Sequence, residues 1–166
     1  MKHTILLTLL AASAASAASD WPMWGRTASR NMEGPSTNLP VEIHPGELDD
    51  ETEAVDLKDA KNVRWVAKLG SQAYGNPVVA FGKVFVGTNN ESPRDPKQTG
   101  DRGNLMVFDE KDGRFLWQLI IPKLGAGKVS DWEYVGLCSS PAVEKDRLWL
   151  VTNRGEVVCL DIDGQA

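Results

Sequence analysis

Residues 76–89 read NPVVAFGKVFVGTN, and residues 140–153 read SPAVEKDRLWLVTN. The two stretches align without a gap, proline on proline and Thr-Asn on Thr-Asn, at an offset of 64 positions. A second pair, RGNLMVFD at 102–109 and RGEVVCLD at 154–161, repeats at an offset of 52 positions. A fixed repeat indicates that one structural unit is used more than once, so we predict a chain built from repeated units.

The difference between the two offsets predicts an insertion in the first copy. It falls at residues 90–101, which are rich in Pro, Asp, Gly and Lys and show no apolar period. Such a composition is typical of a surface loop. We therefore place a long loop between the second and third strands of the first copy.

Each copy reads as short β-strands separated by turns. In the first copy, β-rich runs occupy residues 77–80, 83–88, 105–109 and 115–119. Consecutive apolar residues, such as those at 84–86 and 148–151, predict that both faces of each sheet are covered. Four-stranded units that cover one another's faces are the blades of a β-propeller. We predict an all-β chain, a β-propeller of four-stranded antiparallel blades of which about two are present.

The turn after the third strand carries a motif with a known counterpart. Asp109, Gly113 and Trp117 are spaced as in the tryptophan-docking repeat of quinoprotein-type, or PQQ-like, β-propellers, which this chain resembles. In that family the tryptophan packs between adjacent blades and the glycine permits the turn, so the resemblance implies a structural role. Asp161 and Gly164 match the motif in the second copy, with a turn one residue shorter.

The resemblance extends toward the N-terminus. Trp65 lies 52 positions before Trp117 and matches the last strand of such a repeat. The stretch DWPMWGR at 20–26 resembles the segment that begins mature quinoprotein dehydrogenases and exported proteins with PQQ-like repeats. The predicted parts are an N-terminal extended or loop segment at 18–61, an outer strand near Trp65, a full blade at 76–120 and an incomplete blade at 138–166; residues 62–166 form the start of the propeller.

The first residues predict export. Lys2 and His3 precede an apolar run that small residues follow, which is the pattern of a signal peptide over residues 1–17. Cleavage before Ala18 fits the small-x-small rule, and neighbouring frames fit nearly as well. The apolar run is shorter than the roughly 20 residues of a bilayer span. We therefore expect a periplasmic or secreted protein with no transmembrane segment after cleavage.

The charge balance argues against one class of partner. The chain has 18 Lys and Arg against 23 Asp and Glu, a formal net charge of −5. The positive field of a phosphate-binding surface is therefore missing. We expect no nucleic acid as a partner, and the family resemblance implies other proteins of the cell envelope.

The resemblance implies one of two functions. PQQ-dependent dehydrogenases of the family are periplasmic enzymes that oxidise alcohols or sugars with PQQ and usually calcium on the propeller axis. Alcohol-oxidising members typically carry an adjacent pair of cysteines, whereas here Cys138 is followed by Ser139. This departure favours the second class, non-catalytic propellers that resemble the outer-membrane-protein assembly lipoprotein. We predict a binding or assembly scaffold without a cofactor; a dehydrogenase with PQQ and calcium is the alternative.

No catalytic or metal-binding residues are predicted. His3 lies in the signal peptide and His44 stands alone, so the sequence offers no histidine-based metal site and no Ser-His-Asp triad. The acidic run at 47–59 lacks the loop spacing of an EF-hand. A solvated surface segment is the favoured interpretation of this run.

Two long loops are predicted to meet on one face. In a radial blade the chain alternates ends, so the loop at 90–101 and the link at 121–137 emerge together. Long loops on a rigid scaffold usually carry recognition. The link contains Trp132, Glu133 and Tyr134, which form the candidate recognition face. The alternative is that Trp132 and Tyr134 only pack over the edge of the blade.

The two cysteines are predicted to be free thiols. Cys138 enters the first strand of the second copy and Cys159 lies on the third, so the second strand separates them by about 9 to 10 Å. A disulfide needs Cα atoms within about 7 Å. The alternative is a bridge, which export would permit; the favoured interpretation is that both cysteines are small buried hydrophobic side chains on strands.

The number of repeats predicts that the chain is a fragment. A propeller hides its sheet edges with about four to eight blades, and residues 76–166 supply fewer than two. We expect further repeats in the gene, and an isolated piece that exposes an unpaired strand edge and apolar faces and behaves poorly alone.

Overall fold

The computed structural model describes residues 20–126 and 131–164. The predicted signal peptide at 1–17 lies outside the described residues. The described residues form nine β-strands and no helix, so they include no helix that could cross a membrane. The strands make a two-stranded, a four-stranded and a three-stranded sheet. The prediction of an all-β chain is confirmed.

The four-stranded sheet is the first repeat. Its antiparallel strands follow one another in sequence order and are β3 (Val78–Ala80), β4 (Lys83–Asn89), β5 (Arg102–Asp109) and β6 (Phe115–Pro122). β5 and β6 reach further toward the inserted loop than predicted. The reason is that Gly103 pairs with Asn89 on one side and with Ile121 on the other, which extends the ladder.

The three-stranded sheet is the second repeat. It consists of β7 (Ala142–Glu144), β8 (Arg147–Val151) and β9 (Val157–Asp161), again antiparallel and in sequence order. These are the counterparts of the first three strands of the four-stranded sheet. The N-terminal segment, predicted as extended or loop, also contains a short hairpin of β1 (Glu47–Leu48) and β2 (Val55–Asp56).

The two larger sheets share one hydrophobic core. Phe85, Leu105 and Val107 of the four-stranded sheet are fully buried against the three-stranded sheet. In β8 burial alternates, because successive side chains point to opposite faces: Leu148 and Leu150 are buried, whereas Trp149 and Val151 are about half exposed. Among the described residues, the prediction of two covered faces is therefore correct for the four-stranded sheet and wrong for the three-stranded one.

Residues 63–69 cover the other face of the four-stranded sheet. Trp65, Ala67 and Leu69 pack on a second buried cluster that includes Met106 and Phe108. The predicted outer strand near Trp65 is not observed among the described residues. A strand needs a hydrogen-bonded neighbour, and residues 63–69 pair with no described strand.

Residues 21–22 tie the first strands of the two repeats together. Trp21 and Val79 exchange two backbone hydrogen bonds, of 2.7 and 3.1 Å. The N–H of Val143 donates to the carbonyl of Pro22 at 2.7 Å. The N-terminal segment thus contacts both β3 and β7 and satisfies backbone groups at their free edges.

Candidate recognition face

Trp65 docks the N-terminal part of the chain onto the four-stranded sheet. Its indole Nε1 donates a hydrogen bond to the carbonyl oxygen of Glu110 at 2.9 Å, and its ring lies against Gly113. Gly113 has a φ of 72°, and a Cβ there would lie 2.5 Å from the ring. Both the left-handed backbone and the close approach require glycine. The N–H of Gly113 donates to the carbonyl of Asp109, which closes the turn.

Trp117 docks the four-stranded sheet onto the three-stranded sheet in the same way. Its Nε1 donates to the carbonyl of Ile162 at 3.1 Å, and its ring lies against Gly164, where a Cβ would lie 2.7 Å away. The N–H of Gly164 donates to the carbonyl of Asp161. The structure thus brings the six repeat-motif residues named from the sequence together as two equivalent contacts.

The inserted loop and the β6–β7 link meet at one end of the sheets. Asp101, at the end of the loop, accepts a hydrogen bond from the N–H of Tyr134 at 2.8 Å. Asn89, at the end of β4, donates through Nδ2 to the carbonyl of Tyr134 at 2.6 Å. Tyr134 has a φ of 55°, a conformation that costs free energy in a residue other than glycine. Its backbone is held there from both sides.

The backbone at Trp132 is held by a lysine between two carboxylates. Nζ of Lys123 donates to the carbonyl of Trp132 at 2.5 Å and to Oδ1 of Asp131 at the same distance. A carboxylate oxygen of Asp101 lies 3.7 Å from the same Nζ. The side chain of Asp131 is only 3% exposed, so this network is buried. It holds the backbone of the β6–β7 link from its buried side.

The electrostatics keep Asp131 charged. Burial by itself raises the pKa of its carboxyl, but hydrogen bonds from Lys123, the Leu124 N–H and Asn153 outweigh that effect. The pKa of Asp131 therefore lies below its ordinary value. The buried carboxylate and the lysine therefore form a paired, hydrogen-bonded network.

The aromatic side chains above this network point to solvent. The ring of Trp132 is exposed, at 62% for the residue, and Tyr134 is nearly half exposed; Glu133 is exposed as well. Sequence reasoning missed Tyr74, which is as exposed as Trp132. The sequence did contain a signal for Tyr74: it lies in the link before β3, the first strand of the first repeat, and this link is the counterpart of the β6–β7 link before the second repeat. The two links run side by side, since the N–H of Asn76 donates to Oγ of Ser140 at 2.8 Å.

The repeated Thr-Asn pair fastens both links, a role that the sequence analysis did not assign. Oδ1 of Asn89 accepts a hydrogen bond from the N–H of Ser71 at 3.1 Å. Asn153 donates to the carbonyl of Pro122 at 3.3 Å and to Asp131 at 3.0 Å. A polar pair at the end of an apolar strand needs hydrogen-bond partners when it is buried. The recurrence of Thr-Asn in both repeats was therefore the sequence signal for this role.

Cys138 and Cys159 are both free and exposed. The interpretation as buried hydrophobic side chains is therefore wrong for the described residues. Cys159 lies in β9, but Cys138 precedes the first strand of its repeat, which begins only at Ala142. Partial burial, together with the charge of Asp131, raises the pKa of the Cys138 thiol against the opposing effect of Lys123. The thiol is protonated at neutral pH.

The family resemblance places residues 135–141 where an alcohol-oxidising dehydrogenase would carry its pair of cysteines. Ser139 stands where the second cysteine of the pair is expected, and its hydroxyl donates to the carbonyl of Val151. The described residues contain no group of three or more His, Cys, Asp or Glu side chains that could hold a metal ion. The residues present do not fit this cysteine-pair form of the cofactor site.

The sequence model of a family described as outer membrane protein assembly factor BamB matches residues 47–166. The chain belongs to this family of PQQ-like repeat proteins. The match covers more than two thirds of the chain and includes both larger sheets. The resemblance read from Asp109, Gly113 and Trp117 is confirmed, and the sheets are blades of the PQQ-like propeller. A comparison with curated proteins gave no match.

Proposed function

We propose that this PQQ-like repeat protein is exported and acts as a non-catalytic binding or assembly scaffold of the cell envelope. Its recognition surface, here called the loop face, consists of Tyr74, Trp132, Glu133 and Tyr134. One observation carries the proposal: exposed aromatic rings stand on a backbone that buried polar side chains hold in place.

Fixed, exposed aromatic residues suit protein recognition. Trp and Tyr are enriched among the residues that contribute most to binding at protein interfaces. Association usually costs free energy for ordering loops and side chains. At Trp132 and Tyr134 the backbone is ordered before a partner arrives, because Asn89, Asp101 and Lys123 hold it. The loop face is therefore preorganised.

The family supports the cellular setting of the proposal. Its description names outer membrane protein assembly, which is a process of the cell envelope. The predicted signal peptide at 1–17 would deliver the chain there. N-terminal sequencing of the protein recovered from the periplasm or medium tests export: a mature N-terminus near Ala18 is expected, and an intact Met1 in the cytoplasm would contradict it.

Photo-crosslinking tests the loop face directly. A photoreactive amino acid replaces Trp132 in one variant and Phe81 in the control. Phe81 is 54% exposed but lies in the β3–β4 turn, at the opposite end of the sheet. We expect protein adducts in the envelope from position 132 that disappear when Tyr134→Ala is added. Equal adducts from both positions, or none from position 132, would overturn the proposal.

The dehydrogenase alternative has a separate test. PQQ and calcium are added to the purified full-length protein, and dye-linked oxidation of alcohols and sugars is followed. The scaffold proposal expects no turnover above a heat-denatured control. Robust turnover would establish the alternative, whatever the crosslinking shows.

A further inference from the structure

The second repeat shows that the strands of a repeat pair without the inserted loop of the first. There the turn between β8 and β9 is tight, and the N–H of Thr152 donates to the carbonyl of Glu156 at 2.8 Å. The first repeat keeps the same register around its longer loop, because Gly87 pairs with Leu105 as their counterparts in the second repeat pair with each other. The extra residues at 90–101 therefore serve something other than the pairing of the strands.

The inserted loop is held together by Asn90. This residue is only 2% exposed, and its Nδ2 donates to the carbonyl of Gln98 at 2.5 Å and to the carbonyl of Gly100 at 3.4 Å. Its Oδ1 accepts a hydrogen bond from Nδ2 of Asn104 at 3.3 Å, and Asn104 is fully buried in the four-stranded sheet. Asn90 thus ties the two ends of the loop to each other and to the sheet.

The first half of the inserted loop holds the link that carries Tyr74. The carboxylate of Glu91 accepts a hydrogen bond from the hydroxyl of Ser71. The guanidinium of Arg94 donates to the carbonyl of Lys68 at 2.5 Å. The same guanidinium lies 5.5 and 5.9 Å from the ring centroids of two phenylalanines of the four-stranded sheet, which adds a cation–π attraction.

The other end of the inserted loop holds the link that carries Trp132. Asp101 accepts a hydrogen bond from the N–H of Tyr134 at 2.8 Å. Its carboxylate also lies 3.7 Å from Nζ of Lys123, which donates to the carbonyl of Trp132. The two halves of the loop face, Tyr74 on one link and Trp132 with Tyr134 on the other, are therefore attached to the same loop.

We propose that the inserted loop is the positioning element of the loop face and that Asn90 keeps the loop in place. The loop sets the position of Tyr74 relative to Trp132 and Tyr134, so that a protein partner meets one preformed surface and not two links that move separately. This lowers the free energy that association spends on ordering. Asn90 is buried, so it acts through the loop and not by contact with a partner. The inference rests on the proposed function of the loop face.

Amide hydrogen exchange in the full-length protein measures the positioning role without a partner. Asn90→Ala removes both hydrogen bonds across the loop, so exchange at the N–H groups of Ser71 and Tyr134 should become about tenfold faster. Lys97→Ala is the matched control, because Lys97 is an exposed residue of the same loop. Exchange in Asn90→Ala at the same rates as in this control would overturn the proposal.

A second control separates positioning from general destabilisation. Trp117→Phe removes the hydrogen bond to the Ile162 carbonyl and so lowers stability without a change in the inserted loop. The N–H groups of Ser71 and Tyr134 should exchange more slowly in this variant than in Asn90→Ala. Equal acceleration in the two variants would show that only overall stability is involved, and the proposal would fail.

A deletion tests the loop as a whole. Removal of residues 90–101 joins Asn89 to Arg102 and reproduces the Thr-Asn-Arg-Gly order of the second repeat. We expect the two larger sheets to stay stacked, with slow exchange at the Trp117 indole, while the Tyr134 N–H exchanges as an exposed amide does. A slowly exchanging Tyr134 N–H in the folded deletion variant would overturn the proposal. If the deletion prevents folding, Asn90→Ala decides.

Photo-crosslinking from position 132 connects positioning to recognition. Asn90→Ala should lower the yield of envelope adducts about tenfold relative to Lys97→Ala, because the surface is no longer preorganised. Equal yields from the two variants would overturn the positioning role and leave the proposed function standing. If no adducts form even without Asn90→Ala, the proposed function fails, and the exchange rates at Ser71 and Tyr134 decide by themselves if the loop positions the two links.

Discussion

Gly113 and Gly164 set how closely neighbouring layers pack: Gly113 between residues 63–69 and the four-stranded sheet, and Gly164 between the four-stranded and the three-stranded sheet. Each sits in a turn with positive φ and carries the ring of a docking tryptophan directly on its Cα. The Asp-x-x-x-Gly-x-x-x-Trp spacing made Gly113 predictable from the sequence, and the alignment of the two copies made Gly164 predictable despite its shorter turn. Asn89 and Asn153 were not assigned a role, because their partners are backbone groups of distant links, and a local pattern does not reveal such partners.

A pair of alanine substitutions separates backbone strain from the docking contact. Gly113 and Gly82 both have a φ of 72°, but only at Gly113 would a Cβ meet a neighbour. Left-handed strain should cost about 1 to 2 kcal/mol in both variants, and overpacking against Trp65 should add about 1 to 3 kcal/mol in Gly113→Ala. Urea unfolding measures the difference; equal losses would show that the ring moves away without cost.

Trp117 allows the indole hydrogen bond to be separated from the packing. Trp117→Phe should lower the free energy of unfolding by about 1 kcal/mol, because the bond to the Ile162 carbonyl is lost. Trp117→Ala should lower it by about 3 kcal/mol, because the apolar contact is lost too. The control Trp24→Phe, at a half-exposed residue, should stay within about 0.5 kcal/mol. Losses no larger than this control would contradict the docking role.

At the scale of the elements, the strands of both repeats could be predicted because β-rich runs and turn residues are local features. The bounds of β3 and β4 differ from the predicted ones by a single residue. A strand was predicted near Trp65 but is not observed among the described residues, because a strand forms only where another strand pairs with it, and a local pattern does not show whether a partner is present. The fastening of the β6–β7 link was also beyond prediction: it depends on Lys123, Asp101 and Asp131, which lie apart in sequence and meet only in the fold.

The buried network makes stability depend on pH. Asp131 has a pKa below the ordinary value of 3.8 in the folded protein, so its contribution is complete above about pH 4 and is lost as pH falls through the lower folded value. Asp131→Asn should reduce stability at pH 7 by about 1 to 3 kcal/mol, since donors that faced the carboxylate lose a charged acceptor. It should also make the loss of stability in acid less steep.

Urea unfolding between pH 2 and pH 7 measures both effects. Asp112→Asn is the control, because Asp112 lies on an exposed turn and its oxygen accepts a hydrogen bond from the Arg114 N–H, which an asparagine also accepts. An Asp131→Asn variant with the stability and pH profile of the control would contradict the structural role of the network.

At the scale of the whole molecule, the described residues place the four-stranded and the three-stranded sheet face to face around one core. The consecutive apolar residues at 84–86 and 148–151 predicted that stacking, because a strand with such a run needs a cover on both faces. The attachment of residues 21–22 to both β3 and β7 was not predictable, since it uses backbone groups that any sequence carries. Exposed apolar sheet faces were expected from the sequence, and the burial of each side chain shows that Trp149, Val151 and Val157 are exposed in the three-stranded sheet.

The most direct test of the account is hydrogen exchange at the indole N–H groups, followed by NMR. The chain has six tryptophans, and two of them, Trp65 and Trp117, donate to carbonyls of the next layer. The account predicts slow exchange for these two, contacts from their rings to the Hα atoms of Gly113 and Gly164, and fast exchange for the half-exposed Trp24. Equally fast exchange at Trp65, Trp117 and Trp24 would contradict the stacked blades.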